Sequence, residues 1–394
     1  MTDHPHPPLP PRRWLAWGIV AVFLALELAL VTGNLLALGQ GEFRKTEQNG
    51  WHDFTHGAPM RALADDLRTT PLAEWLGRRQ RELGWLVLGD LGPRVREGCP
   101  GWLFLTDELR LYPGSEAHAQ ARAELARQVH EALAARGHHL LIALVPDKTR
   151  IEADHLCTIR RPAPLEGRYQ AWLASLRAQG IDVIPLDHPL LEVKARLGSA
   201  FDRTDTHWSQ DGAEAATRAI AIQLTALGFI PQPRRDYQLQ RGALQSRWGD
   251  LVRLAGLEGL PEGLRPPPDQ IHPLRFELEQ HDPAQAEELS ADTLFGDTSG
   301  ARATLVGTSF SRNASFADFL AADLHADVGN LARDGGGFAQ SMQQFLEHEV
   351  HEPGTAWVIW EIPERVLTEP LGEAERRLGA AITGLHVARE QQRP

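Results

Sequence analysis

A serine hydroxyl is a weak nucleophile until a base takes its proton, and an imidazole does so best when a carboxylate orients and charge-stabilises it. Residues of these three types stand at Asp205, His207 and Ser309. Asp205 and His207 are two apart, so on extended backbone they point to the same face. Asp211 followed by Glu214 has the spacing of a capping box, which predicts a helix from about 211 and leaves the preceding segment extended or looping. Ser309 follows the apolar run 303–307 and precedes a helical stretch over 313–324. A serine on such a turn presents its hydroxyl, with backbone N–H groups nearby for a developing oxyanion. Singly, these signals are ordinary: a turn serine is usually a helix cap, and an aspartate two before a histidine is usually a surface turn or half of a metal site. Together, at the ends of strands of one sheet, they predict a Ser-His-Asp acyl-transfer site.

Further polar positions lie after other apolar runs. Asn330 and the glycines 335–337, with Gly336 at their centre, offer an amide or backbone donors for an acyl oxygen, and Arg312 follows the serine turn. Lys148 follows the run 139–145, where it is either a charged contact for a polyanionic substrate or a solvated loop lysine. His348 with His351 and His52 with His56 show no third convergent ligand, so no metal is expected, and no cofactor.

These residues need a scaffold that gathers strand ends. Short apolar runs at 101–105, 139–145, 181–186, 303–307, 326–330 and 356–362 have strand length. Helix-like stretches fall near 115–136, 166–179, 188–197, 211–228, 314–324, 338–349 and 372–390. Alternation of this kind predicts a mostly parallel sheet covered on both faces, an α/β class fold whose ligands bind beyond the carboxyl ends of the strands. Residues 231–300, with three consecutive prolines at 266–268, break the alternation and read as an insertion of loops and short elements without chemistry of their own.

From 14 to 39 the chain is apolar with Glu27 as its only charge, long enough to span about 30 Å of hydrocarbon. Arg12 and Arg13 precede it, which predicts a single-pass inner-membrane anchor with residues 1–13 in the cytoplasm, a juxtamembrane segment over 40–98 and a periplasmic domain over 99–394. A cleaved signal peptide is the alternative. Forty Lys and Arg against 52 Asp and Glu give a formal charge of −12, which disfavours nucleic acid as a partner. The two cysteines, Cys99 and Cys157, are either a disulfide or two buried thiols.

The order of several motifs adds a resemblance. These are the anchor, Gly101–Phe104, Val145–Lys148, Asp205–Trp208, Gly249–Leu251, Gly307–Ser311, the glycines 335–337 and Trp360–Arg365. Over most of residues 100–370 they resemble the SGNH-hydrolase-like domain shared by the alginate O-acetyltransferases AlgJ and AlgX, and specifically the single-domain, membrane-anchored branch. The resemblance implies a three-layer α/β/α fold, a triad falling on Asp205, His207 and Ser309, and O-acetylation of an exopolysaccharide, alginate-like or cellulose-like, outside the cytoplasmic membrane. It implies as partners the polysaccharide acceptor, other polysaccharide-synthesis proteins and a membrane-bound O-acyltransferase as acetyl donor. Thr308 stands where many SGNH proteins carry aspartate, so helpers tied to that aspartate do not carry over. Trp208 becomes a candidate for stacking on a sugar ring. A carbohydrate acetylesterase and a non-catalytic scaffold of a secretion complex are the rival readings.

Overall fold

The computed structural model describes residues 70–279, 303–351 and 357–391, with scattered helical positions between 18 and 33. Most of the apolar run 14–39, and His52 and His56, lie outside the described residues. Among the described residues no helix is long and apolar enough to cross a membrane. Two compact units divide between Asp90 and Leu91. The first contains helix α1 (Pro71–Leu88), capped by Thr70, whose side chain accepts from the Ala73 N–H, and ended by Gly89 in the left-handed region.

The second unit opens with an antiparallel hairpin, β1 (Val95–Glu97) and β2 (Leu103–Leu105). The chain then runs through α2 (Ser115–Ala134), β3 (His139–Val145), the one-turn helix α3 (Lys148–Ile151), α4 (Arg168–Ala178), β4 (Asp182–Pro185), α5 (Asp187–Leu197) and α6 (Gln210–Ala226). Four short strands follow, β5 (Tyr237–Arg241), β6 (Gln245–Arg247), β7 (Asp269–Ile271) and β8 (Leu274–Leu278), with helix α7 (Asp250–Leu254) between β6 and β7. The last elements are β9 (Ala303–Val306), α8 (Phe316–Leu324), β10 (Val328–Asn330), α9 (Gln340–His351), β11 (Trp357–Pro363) and α10 (Glu373–Gln391).

Five strands pair in the order β10-β9-β11-β3-β4, all parallel. Successive side chains of a strand face opposite sides, and β3 is apolar from Leu140 onward because both sides are covered. Leu140, Ile142 and Leu144 pack with α2, α4, α9 and α10, whereas Leu141, Ala143 and Val145 pack with α5, α6 and α8. The expected three-layer α/β/α arrangement is the one observed.

Where it is described, the stretch 231–300 consists of loops and short elements, some of which support the Asp205 segment. β5 pairs with β8 and β6 with β7, both antiparallel, and α7 carries the residues that hold the Asp205 segment. Cys99 and Cys157 form a disulfide, closing a loop of sequence separation 58. Beside it the Cys99 N–H donates to the His155 carbonyl at 2.8 Å, and Trp102, Phe104 and Leu156 form a small separate core.

Candidate active site

The segment 202–208 leaves the sheet after α5 and is irregular apart from one antiparallel bridge between Phe201 and Trp208. Ser209 caps α6 by accepting from the Gly212 N–H, so the capping residue lies two positions before the expected Asp211. With few backbone hydrogen bonds of its own, the segment is held by side chains from elsewhere. Asp269 accepts from the Arg203 N–H at 2.7 Å and from the Thr204 N–H at 2.9 Å. The Gly249 N–H donates to the Thr204 hydroxyl at 2.9 Å. A Cβ on Gly249 would lie 2.4 Å from the backbone of Thr204 and Asp205, so only glycine permits this approach. Asp250 accepts from the Thr206 N–H at 2.7 Å.

On this support Asp205 Oδ1 accepts from the His207 N–H at 3.0 Å and lies 2.6 Å from His207 Nδ1. His207 Nε2 lies 2.7 Å from Ser309 Oγ. The other Asp205 oxygen accepts the Asp250 N–H at 3.2 Å and faces Arg247 at 3.6 Å. Burial alone would raise the Asp205 carboxyl, but the hydrogen bonds from His207 and the nearby Arg247 outweigh it and hold the group well below the usual carboxylate range. Asp250 is instead pushed up, by burial first and then by the Asp205 charge. The Asp205 anion can therefore fix the tautomer that leaves Nε2 facing the hydroxyl.

Ser309 opens a short 3-10 turn, Ser309–Ser311, at the end of β9. The expected helix start at 313 is not there. Ala314 and Ser315 adopt positive φ and α8 begins at Phe316, so the turn itself presents the hydroxyl. Glu361, fully buried on β11, holds this turn from below: it accepts from the Thr308 N–H at 2.6 Å, the Thr308 hydroxyl at 3.0 Å and the Ser311 hydroxyl at 3.0 Å. Burial raises its carboxyl, and those three donors oppose the rise. With Thr308 committed to Glu361 and Phe310 N–H to the Thr308 hydroxyl, the Ser309 N–H makes no hydrogen bond among the described residues. It is the backbone donor left for an oxyanion.

Other expected site residues are placed differently. Trp208 is fully buried, packed at 5.0 Å from the Phe310 ring and 4.7 Å from Phe316, so it cannot stack on a sugar. Lys148 is 1% exposed, which excludes both the substrate contact and the solvated lysine. The Asn330 amide donates to the Ser311 carbonyl at 3.2 Å and the Gly336 N–H to the Arg333 carbonyl at 3.1 Å, so these donors brace turns. Arg312 is half-exposed and faces Asp334 at 3.5 Å.

The residues missed in the sequence lie across the cleft. A hollow of about 330 Å³ borders Asp205 and is lined by Arg247, Trp248, Arg253, Arg265 and Asn313 among others. The Trp248 indole N–H donates to the Pro266 carbonyl at 2.9 Å and the Arg265 guanidinium lies 4.9 Å from its ring, so this aromatic is pinned and partly open. Asn313 donates through its amide to the Ser309 carbonyl at 2.8 Å. Among the described residues, the group Asp205, His207 and Asp250 has the proximity a metal would need, but two of its members are committed to each other and the third to Thr206.

A parallel sheet with a serine turn beyond one strand end and an aspartate–histidine pair beside it defines an SGNH-hydrolase-like protein. The family of the SGNH hydrolase-like domain of the acetyltransferase AlgX matches residues 95–364, and the chain belongs to it. The probable alginate O-acetylase AlgJ of Pseudomonas aeruginosa is 32% identical over 278 residues, 70% of this chain and 71% of that one. Its namesake in Azotobacter vinelandii is 33% identical over 291 residues, 72% of each. The solved O-acetyltransferase domain of Pseudomonas putida AlgJ superposes with a TM-score of 0.62 at 26% identity, covering 74% of this chain and 99% of that domain.

Proposed function

We propose that this chain is an O-acetyltransferase acting on an exopolysaccharide, with Ser309 as nucleophile, His207 as general base and acid, and Asp205 as the residue that orients it. The observation that carries the reading is His207 set between the two others, at 2.6 Å from Asp205 and 2.7 Å from Ser309. In the first step Ser309 Oγ forms a bond to the acetyl carbon while its proton passes to His207 Nε2. The donor's bond to that carbon breaks, and its leaving group takes the proton back. In the second, a sugar hydroxyl gives its proton to His207 and attacks the acetyl carbon, and Ser309 Oγ leaves and is reprotonated. The Ser309 N–H supports the oxyanion in both, a contact of a kind worth about 3 kcal/mol. Trp248 supplies the aromatic face for a sugar ring that Trp208 does not.

The names of the relatives favour alginate or a similar polymer as acceptor. A membrane-bound O-acyltransferase is the donor partner we propose, because acetyl groups for a periplasmic site must cross the membrane. The apolar run 14–39 would then be the tether, placing the domain in the periplasm. Incubation of the purified protein with an aryl acetate should leave an acetyl adduct on Ser309 by mass spectrometry, and added acceptor oligosaccharide should gain acetyl groups. Ser309→Ala should lower both by at least about 1,000-fold. Full activity in that variant would end the triad reading, and acetate release unaffected by acceptor would make the protein an esterase.

A further inference from the structure

Lys148 has an unusual position for an ammonium. It is buried, and among the described residues no carboxylate lies within ion-pair distance of it. Its Nζ donates instead to three backbone carbonyls: Leu103 at 2.7 Å, Arg203 at 3.0 Å and Asp205 at 2.9 Å. The remaining contacts are the rings of Trp102 and Phe104, 5.4 and 5.1 Å away. Taking a lysine head out of water costs several kcal/mol, and an apolar chain of similar length would fill the same space without that cost. Two of its three donors go to the segment that carries Asp205, and the third ties that segment to β2. The other clamps described above, Asp269, Gly249 and Asp250, act on Arg203, Thr204 and Thr206 or on the Asp205 carboxylate. Lys148 holds the Asp205 carbonyl.

We propose that Lys148 is a positioning residue for acetyl transfer: it fixes the backbone of Asp205 so that the carboxylate stays on His207 Nδ1. This rests on the triad reading. The groups that face the ammonium are Asp202, Asp205, Asp269 and Glu108. Those close to the imidazole are Asp205 and Asp250, with Arg247 on the far side of Asp205.

The test is steady-state aryl-acetate turnover by the full-length protein over pH 5–9, for wild type, Lys148→Met, Lys148→Arg and Ser309→Ala, with the folded fraction measured by near-ultraviolet circular dichroism. For Lys148→Met, kcat per folded molecule should fall about 30- to 100-fold, the cost of displacing a catalytic group by a fraction of an ångström or more, with KM changed less than about threefold. Lys148→Arg shifts the donors away from the three carbonyls, so it should lose about tenfold in kcat with KM little changed. A folded Lys148→Met with wild-type kcat would overturn the proposal. If that variant does not fold, wild-type kcat in Lys148→Arg would overturn it equally. Activity surviving in Ser309→Ala would instead mark failure of the triad reading, whatever Lys148 does.

Discussion

Two neighbouring aspartates on one segment are driven in opposite directions. Asp205 is held low by donors, whereas Asp202, three residues earlier, is pushed up to about 7 by burial and by the charges of Asp269 and Asp205, with Arg247 only partly opposing this. The folded carboxyl thus binds its proton more tightly than the unfolded one, whose pKa is about 4. Between those values the folded state carries the extra proton. Its contribution is present at pH 4 and is lost as pH rises through 7. Asp202→Asn does not titrate, so we expect it to shrink the fall in Tm between pH 5 and pH 8 by about 2–4 °C relative to wild type. An unchanged fall, measured by calorimetry, would count against the burial argument. The same surroundings explain why Asp205 and His207 were legible in the sequence and Lys148 was not. A spacing of two defines a shared face, but nothing in the residues around 148 states that the chain end turns inward to meet carbonyls at 103, 203 and 205.

The serine turn depends on how closely β9 and β11 can approach. Gly307 directly follows β9, and a Cβ there would lie 2.5 Å from Glu361 Oε2 and 2.7 Å from Ser311 Oγ. Gly307→Ala must therefore push the carboxylate off the turn it anchors. We expect a loss of about 2–3 kcal/mol in urea unfolding and a fall in acetyl transfer out of proportion to the folded fraction. An alanine variant as stable as wild type would show that the turn can yield. β3 and β11 were readable as strands because burial on both sides leaves them nearly apolar, six buried residues in β3 after His139 and seven in β11 with Glu361 its one charge. β6 and β7, whose sequences are Gln-Ser-Arg and Asp-Gln-Ile, carry no such signal. Their function is to hold Asp269 and the 247–250 corner against the site, through polar groups that periodicity does not detect. The serine turn was recognised, and its support was not, because Glu361 looks in the sequence like one charge at the end of an apolar strand.

At the scale of the whole second unit, long-range links converge on the strand ends that carry the site. Glu364, just past β11, accepts from Arg150 at 2.7 Å, Arg161 at 2.8 Å and Arg168 at 3.0 Å, all side chains from the stretch around and after the disulfide. Burial would raise Glu364, but its three guanidinium partners outweigh this and hold it low. The Cys99–Cys157 bridge encloses β2 and Lys148, so its loop holds one end of the Asp205 support. Replacing both cysteines by serine should cost about 4 kcal/mol in the chain-entropy account, read as a lowered denaturant midpoint against the oxidised protein. Equal midpoints would mean that the arginine cluster and the Trp102 core already order this region unaided.

The strand order carries a consequence for synthesis. The last strand made, β11, sits in the middle of the sheet, between β9 and β3, and it brings the glutamate beneath the serine turn. A nascent chain that already holds the aspartate, the imidazole and the hydroxyl therefore still lacks the floor on which they are arranged. Until β11 is in place the serine turn has no Glu361 to accept from Thr308 and Ser311, so the proposed site is completed late in synthesis.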